Sequence, residues 1–388
     1  MDLKEAARST VASWSEKLID LSHRIHAKPE LGFQERMASR WMFDFLSDAG
    51  FGVTLGACGM ETAFVARAGN GPLHFAICAE YDCLPGIGHA CGHNIIAAMA
   101  AGAGIAAARF AKDLDATIYI FGTPAEEIGN NGGKIVMLER GAFNLVHTAM
   151  MVHPAPVDVA EPPIIAATAF DARYTGRAAH ASAFPELGIN AADAVTIAQT
   201  AIGLLRQHIR TTDRIHGIVT DGGDAPNVVP AHAGVRYMMR SAAVADLEEL
   251  RGKVFRCFEA GALATGAKLE ITGGNKPYAE MHHDHELAAL YRRNAEALGR
   301  TFITAPGSER AAVSTDMGNV SIKIPAIHPT IGIDSLPAVN HQPEFTAHCI
   351  TPAADKAVID GSIAMAWTII DIAGDAQLRK RLMGGKRP

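Results

Sequence analysis

Three short apolar segments in the first half of the chain each run into side chains that can bind a metal ion. The segments cover residues 73–79, 117–121 and 147–152, and their composition is typical of buried strands. The side chains that follow are Cys91 and His93 after the first segment, Glu126 and Glu127 after the second, and His153 after the third. Because the carboxyl ends of parallel strands open onto one crevice of an α/β sheet, this pattern predicts that all five side chains meet there.

The Cys91-Gly92-His93 sequence suits a metal site because glycine permits the tight turn that points both flanking side chains at one spot. Thiolate and imidazole are ligands of zinc and similar divalent ions. Taken singly, each feature has a simpler interpretation: a buried thiol beside a loop histidine, a solvated helix start at the paired glutamates, or an ordinary loop histidine. Their placement after successive strands favours a metal centre. Asn94 is predicted to be the N-cap of the alanine-rich helix that follows.

The order of elements changes after residue 164. Sequence patterns between residues 165 and 276 predict strand, helix, strand, strand, helix and strand in succession, which is the order of a ferredoxin-like module. At 388 residues the chain is also longer than one hydrophobic core usually spans. We therefore predict an α/β fold with a mixed-sheet catalytic domain, residues 1–164 and 277–388, and a ferredoxin-like α+β domain, residues 165–276, inserted into it.

Composition and charge narrow the class of protein. Hydrophobic residues make up 48% of the chain and charged residues 20%, as in ordinary globular proteins. The net charge of -6 gives no electrostatic reason to expect a nucleic-acid or membrane partner, and no secretory signal or apolar segment of membrane length is recognisable. Six scattered cysteines suit a reducing compartment. The sequence therefore predicts a cytoplasmic protein without a nucleic-acid or membrane partner.

The adjacent glutamates Glu126 and Glu127 suit a metal-dependent hydrolase, because one carboxylate can bind the ion while the other takes a proton from metal-bound water. A bound metal lowers the pKa of that water from about 15.7 towards about 7. A carboxylate base adds about 10²–10⁴-fold in rate. Amide hydrolysis needs both contributions.

Five motifs, in order along the chain, resemble those of the M20 metallopeptidases. They are EYDCLPGIGHACGHN at residues 80–94, TPAEE at 123–127, VHP at 152–154, GRAAHA at 176–181 and NHQPEF at 340–345. Within that family the chain is similar to the amidohydrolase branch, which includes aminoacylases, auxin-conjugate hydrolases and aminobenzoyl-glutamate hydrolases. The motifs extend over most of the chain.

The resemblance implies a zinc-peptidase-like catalytic domain that holds two divalent ions, Zn²⁺ or Mn²⁺. The implied ligands are Cys91 as the bridge, with His93, Glu127, His153 and His341 completing the site. Glu126 would be the general base. Asp82 would assist catalysis by contacting a metal ligand instead of the metal itself.

The resemblance also implies that the inserted domain is a lid that carries the contact of a homodimer. His180 would then reach the active site of the partner subunit and polarise the substrate carbonyl. Asn227 would contact that carbonyl, and Arg240 would bind a substrate carboxylate. The alternative for Arg240 is a surface ion pair.

Two positions depart from the pattern of many M20 peptidases, which have a histidine two residues before the first aspartate and a bridging carboxylate. Glu80 and Cys91 occupy those places, so contact between Glu80 and a metal stays open. The leading prediction is an amidohydrolase acting on N-acyl amino acids or similar small amide conjugates. A dipeptidase and an aminobenzoyl-glutamate hydrolase are alternatives, and a non-catalytic dimeric binding protein is the alternative of another class.

Overall fold

A computed structural model of the chain describes residues 2–303 and 313–385. Its helices are α1 (Leu3–Ala27), α2 (Arg36–Asp48), α3 (His93–Ala108), α4 (Gly133–Glu139), α5 (Ala191–Leu205), α6 (Val244–Thr265), α7 (His285–Glu296), α8 (Met317–Ser321), α9 (Pro343–His348), α10 (Pro352–Gly374) and α11 (Ala376–Met383). Its strands are β1 (Gly52–Leu55), β2 (Phe64–Gly69), β3 (Leu73–Ala79), β4 (Ala116–Gly122), β5 (Thr148–Met150), β6 (His153–Ala155), β7 (Ala166–Thr175), β8 (Arg214–Asp221), β9 (His232–Ser241), β10 (Lys268–Gly273), β11 (Ala326–Ile327) and β12 (Thr330–Gly332).

The first sheet is mixed and has the strand order β1-β2-β4-β3-β5-β11. Strand β3 pairs in parallel with both β4 and β5, and β5 pairs in parallel with β11. At the other edge, β1 and β2 pair antiparallel. The carboxyl ends of β3, β4 and β5 therefore meet at one edge, as the strand pattern predicts.

Close packing of helices holds this edge in place. Strand β3 is almost entirely buried, and α3, which follows it, is buried along nearly its whole length. Because α3 consists mainly of alanine and glycine, α10 and α1 can pack closely against it. A Cβ at Gly102 would lie 2.4 Å from Ser362 Oγ of α10, so the close approach requires glycine.

The second sheet is antiparallel, with the order β10-β7-β9-β8, and α5 and α6 pack against it. Its hydrophobic core consists of buried residues between Ala166 and Ala267. The element order strand-helix-strand-strand-helix-strand is the ferredoxin-like order that the sequence patterns predict. The domain boundaries at 164/165 and 276/277 stay a prediction.

Among the residues that the structure describes, α10 alone is long and apolar enough to cross a membrane by length and composition. However, 78% of its most apolar window is buried inside the protein. It packs against α1, α3 and α7, which is the environment of a core helix.

Candidate metal centre

A tight turn after β3 brings Cys91 and His93 to the sheet edge. Gly92 has φ +75°, and a Cβ there would lie 2.5 Å from Pro154 Cγ, so the turn requires glycine, as predicted. Helix α3 begins at His93 with Gly92 as its N-cap. The prediction that Asn94 is the N-cap is therefore wrong.

Asn94 lies inside the helix because its side chain is hydrogen-bonded to residues that are distant in the sequence. Its amide nitrogen donates to Ser22 Oγ at 2.8 Å and to the Cys349 carbonyl at 3.1 Å. These core hydrogen bonds replace the local cap.

Two groups of potential ligands share one thiol. The inner donor group consists of Cys91, His93 and His153, and the outer donor group consists of Cys91, Glu127 and His341. Within each group the ligand atoms lie within 4.8 Å of one another. Cys91 Sγ is 3.5 Å from Nε2 of both His153 and His341. All five predicted ligands therefore converge, and Cys91 is the residue common to the two groups.

Hydrogen bonds from residues around the candidate ligands determine which ligand atoms are available to a metal. His93 Nδ1 donates to Asp82 Oδ1 at 2.8 Å, and Asp82 Oδ2 accepts from the Glu127 backbone N–H at 2.9 Å. His153 Nδ1 donates to the Pro154 carbonyl at 2.8 Å. In both histidines Nε2 is left free for a metal. Asp82 thus orients two candidate ligands, and its predicted part in catalysis stays a prediction.

The chemistry of this donor set fits divalent cations. Several buried atoms have no hydrogen-bond partner among the described residues, and three of them belong to the candidate ligands or to the adjacent Glu80: Glu80 Oε2, His93 Nε2 and Glu127 Oε1. Leaving a buried polar group unsatisfied costs about 1–3 kcal/mol, and more for a charged group. Cations bound to these atoms would remove that cost, so the pattern is that of a metal site.

The electrostatics of the site also favour cations. Burial, together with Glu80 and Glu127, raises the pKa of Glu126 well above its usual value. Burial and the neighbouring Glu127 likewise raise the pKa of Cys91. Burial alone would lower the pKa of His93, but Asp82 and Glu80 raise it. The common cause is concentrated negative charge in a buried place.

The turn that presents Glu126 is held by residues that the sequence analysis missed. Ala125 has φ +61°, an unfavourable conformation for a residue with a Cβ. Its backbone N–H donates to Glu35 Oε1 at 2.8 Å, and Tyr278 Oη donates to the Glu126 carbonyl at 2.5 Å. Glu35 also accepts from Thr62 Oγ1 at 2.8 Å. These contacts fix the Glu126 side chain relative to the donor groups.

The donor groups border a cavity of about 540 Å³ whose lining also includes residues of the second sheet. Glu126 and Arg240 both line it. Arg240 Nη1 donates to Ser314 Oγ at 2.7 Å, and the described residues place no carboxylate in an ion pair with it. Burial lowers the pKa of Arg240. The structure thus shows a half-buried guanidinium facing the cavity instead of a surface ion pair.

His180 and Asn227 lie together, but away from this cavity. The backbone N–H of Ala181 donates to the Asn227 carbonyl at 3.0 Å, and both predicted side chains are exposed. His180 Nδ1 accepts from the Ala183 N–H at 3.2 Å, which leaves Nε2 for an outside partner. Neither residue lines the cavity of its own chain. Their roles stay a prediction.

Comparison with known proteins identifies the family of this chain. The model of the peptidase family M20/M25/M40 matches residues 76–357. The chain belongs to the M20 peptidase family. This peptidase is 36% identical over 391 residues to the Xaa-Arg dipeptidase of Mus musculus, covering 95% of this chain and 89% of the relative. It is 32% identical over 436 residues to one of the subunits of the p-aminobenzoyl-glutamate hydrolase of Escherichia coli (strain K12), covering 94% and 90%.

Solved structures share the fold of this M20 peptidase. A dinuclear metal-binding M20 peptidase of Bacillus subtilis superposes with a TM-score of 0.66 at 22% identity, covering 92% of this chain and 99% of that one. An aminobenzoyl-glutamate utilization protein of Klebsiella pneumoniae superposes with a TM-score of 0.70 at 20% identity, covering 92% of this chain and 98% of that one. The α/β fold with its mixed sheet is thereby confirmed, and the chain is a hydrolase of the peptidase and amidohydrolase type.

Proposed function

We propose that this M20 peptidase hydrolyses the amide bond of a small substrate whose leaving part is an amino acid with a free carboxylate. N-acyl amino acids, similar small amide conjugates and dipeptides all have this form. The observation that carries the proposal is one cavity lined by members of both donor groups, by the Glu126 carboxylate and by the Arg240 guanidinium. A guanidinium suits a carboxylate because it can donate two parallel hydrogen bonds.

Two divalent ions, Zn²⁺ or Mn²⁺, are the proposed cofactors. The inner and outer donor groups would hold one each, with Cys91 common to both. Bound there, such ions supply a Lewis acid that polarises the scissile carbonyl and acidifies water. Sulfur, nitrogen and oxygen donors together suit zinc, while the carboxylates also suit manganese.

Glu126 would take the proton of the attacking water and deliver it to the leaving amine. Burial and the neighbouring carboxylates Glu80 and Glu127 raise its pKa, and a raised pKa strengthens a carboxylate as a proton acceptor. The contacts of Glu35 and Tyr278 with its turn hold the carboxylate at the cavity wall.

The similarity to an Xaa-Arg dipeptidase and to an aminobenzoyl-glutamate hydrolase supports two specific substrate classes. A panel of N-acyl amino acids, dipeptides with basic or acidic C-terminal residues, and aminobenzoyl-glutamate, assayed with Zn²⁺ and with Mn²⁺, would rank them by kcat/KM. Absence of hydrolysis of every panel member by metal-loaded protein would contradict the proposal.

Arg240→Ala should weaken recognition of the substrate carboxylate. Hydrogen bonds to charged groups contribute about 1.5–3 kcal/mol, so we expect kcat/KM to fall by about 10–100-fold. The fall should be small for substrates whose carboxylate is replaced by an amide. Arg236→Ala is the matched control, because Arg236 lies on the same strand but pairs with Asp171 at the surface. An equal loss on both substrate types would contradict carboxylate binding.

We also propose a homodimer in which the second sheet acts as a lid and as the dimer contact. Strand β8 is an edge strand, and Ile218 and Val219 on it are 62% and 52% exposed. Unpaired edges with apolar side chains favour association. The outward-facing His180 supports a contribution to the partner's site.

Mixing two inactive variants tests the shared site. In a hybrid of Glu126→Gln and His180→Ala subunits, one site keeps Glu126 and receives an intact His180 from the other subunit. Random exchange between symmetric dimers should therefore restore about a quarter of the wild-type activity. Subunit exchange is followed independently with two affinity tags. Full exchange without recovery of activity would contradict the role of His180.

A cytoplasmic location without nucleic-acid or membrane partners is proposed as well. The six cysteines are free, and the net charge of -6 is unsuited to anionic partners.

A further inference from the structure

Glu80 is a fully buried carboxylate beside His93 and does not line the cavity. Its Oε1 accepts a hydrogen bond from Lys134 Nζ. Its Oε2 has no hydrogen-bond partner among the described residues and lies 3.4 Å from His93 Nε2, which also lacks one. Since His93 Nδ1 is bound to Asp82, Nε2 is the nitrogen left for a metal. A carboxylate oxygen and an imidazole nitrogen therefore converge on the same place.

Lys134 holds Glu80 in this orientation. The lysine ammonium is buried and also donates to Asp316 Oδ1 at 2.5 Å. The other oxygen, Asp316 Oδ2, accepts from the backbone N–H of Lys134 at 2.9 Å. Because Asp316 binds both the backbone N–H and the ammonium of Lys134, the position of the ammonium is fixed. Glu80 Oε1 is hydrogen-bonded to that ammonium. Oε2 is therefore the oxygen that is left to bind a metal ion.

The charges of this cluster do not balance. Two carboxylates, Glu80 and Asp316, surround one ammonium, Lys134, which leaves one negative charge uncompensated in a place without solvent exposure. Uncompensated buried charge is strongly unfavourable. His93 Nδ1 is already paired with the carboxylate of Asp82 at 2.8 Å. A metal cation at His93 Nε2 provides the missing compensation.

We propose that Glu80 is a further ligand of the ion in the inner donor group, so that this ion has four protein donors and the outer ion three. The inference rests on the proposed metal-dependent function. Four protein donors close a site, whereas three leave a position for water or substrate.

Glu126 lies close to the same place but has a different role in this arrangement. Glu80, His93 and Glu126 offer ligand atoms within 4.8 Å of one another. Glu126 lines the cavity, whereas Glu80 does not. Glu126 can therefore contact water and substrate as the base, whereas Glu80 is placed to bind the ion.

Two substitutions distinguish metal ligation by Glu80 from the effect of its negative charge. Glu80→Gln keeps a carbonyl oxygen for Lys134 but turns an amide nitrogen, which does not ligate, towards His93. Glu80→Asp keeps the negative charge and the pairing with Lys134, but its shorter side chain withdraws the second oxygen. Loss of groups that only support ligands weakens metal binding by about 10–100-fold, so we expect both variants to bind one ion at least about 10-fold more weakly. The second ion should bind as in the wild type.

The measurement is titration of metal-free protein with Zn²⁺ and with Mn²⁺ against a chromophoric chelator, with elemental analysis of the dialysed protein. Glu139→Gln is the matched control, because Glu139 lies on α4 near Lys134 but is exposed and pairs with Lys276. It should bind both ions normally.

Wild-type affinity for both ions in folded Glu80→Gln would overturn the assignment. Weak binding by Glu80→Gln with normal binding by Glu80→Asp would overturn it too, because charge alone would then explain the effect. A wild-type protein that binds no divalent metal would contradict the proposed function itself, and this ligand with it. If neither variant folds, wild-type crystals soaked in Mn²⁺ decide: Glu80 Oε2 bonded to the inner ion supports the assignment, and Glu80 turned away from it refutes it.

Discussion

Glu126→Gln should leave the protein folded and able to bind metal but lower kcat by about 10²–10⁴-fold. Glutamine has nearly the same shape as glutamate but cannot accept the proton of the attacking water. Metal content should persist, because the inner and outer donor groups are complete without Glu126. The contacts that fix its turn involve backbone atoms, so the substitution leaves them intact.

Turnover of the best panel substrate and elemental analysis of the same preparation test this expectation together. Glu61→Gln is a suitable control, since Glu61 is an exposed carboxylate that pairs with Arg36 and should be dispensable. Near-normal turnover by the Glu126 variant would refute its role as the base. Loss of metal along with activity would assign Glu126 to ligation instead.

Cys91→Ala should remove most of the bound metal and, with it, the activity. Its sulfur belongs to both donor groups, so one substitution weakens both proposed ions. Because loss of a group that merely supports a ligand already costs about 10–100-fold in metal affinity, we expect a loss of at least about 100-fold here. Dialysed wild-type and variant proteins would be compared by elemental analysis.

Cys83→Ala is the matched control for the thiol. Cys83 lies on the same loop and is buried, but it belongs to neither donor group. Its variant should keep the wild-type metal content. Unchanged metal content in Cys91→Ala would contradict the shared-ligand arrangement.

The sequence predicts that the candidate ligands converge because their placement depends on local rules. Cys91, Glu127 and His153 each follow a strand, and neighbouring parallel strands bring such residues together. The turn at Gly92 follows from the conformational freedom of glycine. These features need no knowledge of distant contacts.

The supporting residues depend on contacts that no local pattern reveals. Glu35 reaches Ala125 from 90 positions earlier in the chain, and Asp316 meets Lys134 across 182 positions. The wrong N-cap prediction has the same cause, since the partner of Asn94 at Ser22 lies 72 positions away. Sequence patterns therefore indicate the candidate ligands and the candidate base, whereas tertiary packing determines which residues hold them in place.

Anomalous diffraction from crystals loaded with Mn²⁺ or Zn²⁺ tests the metal centre most directly. We expect two peaks, one bounded by Cys91, His93 and His153 and the other by Cys91, Glu127 and His341. Loaded crystals without anomalous density beside Cys91 Sγ would contradict the account.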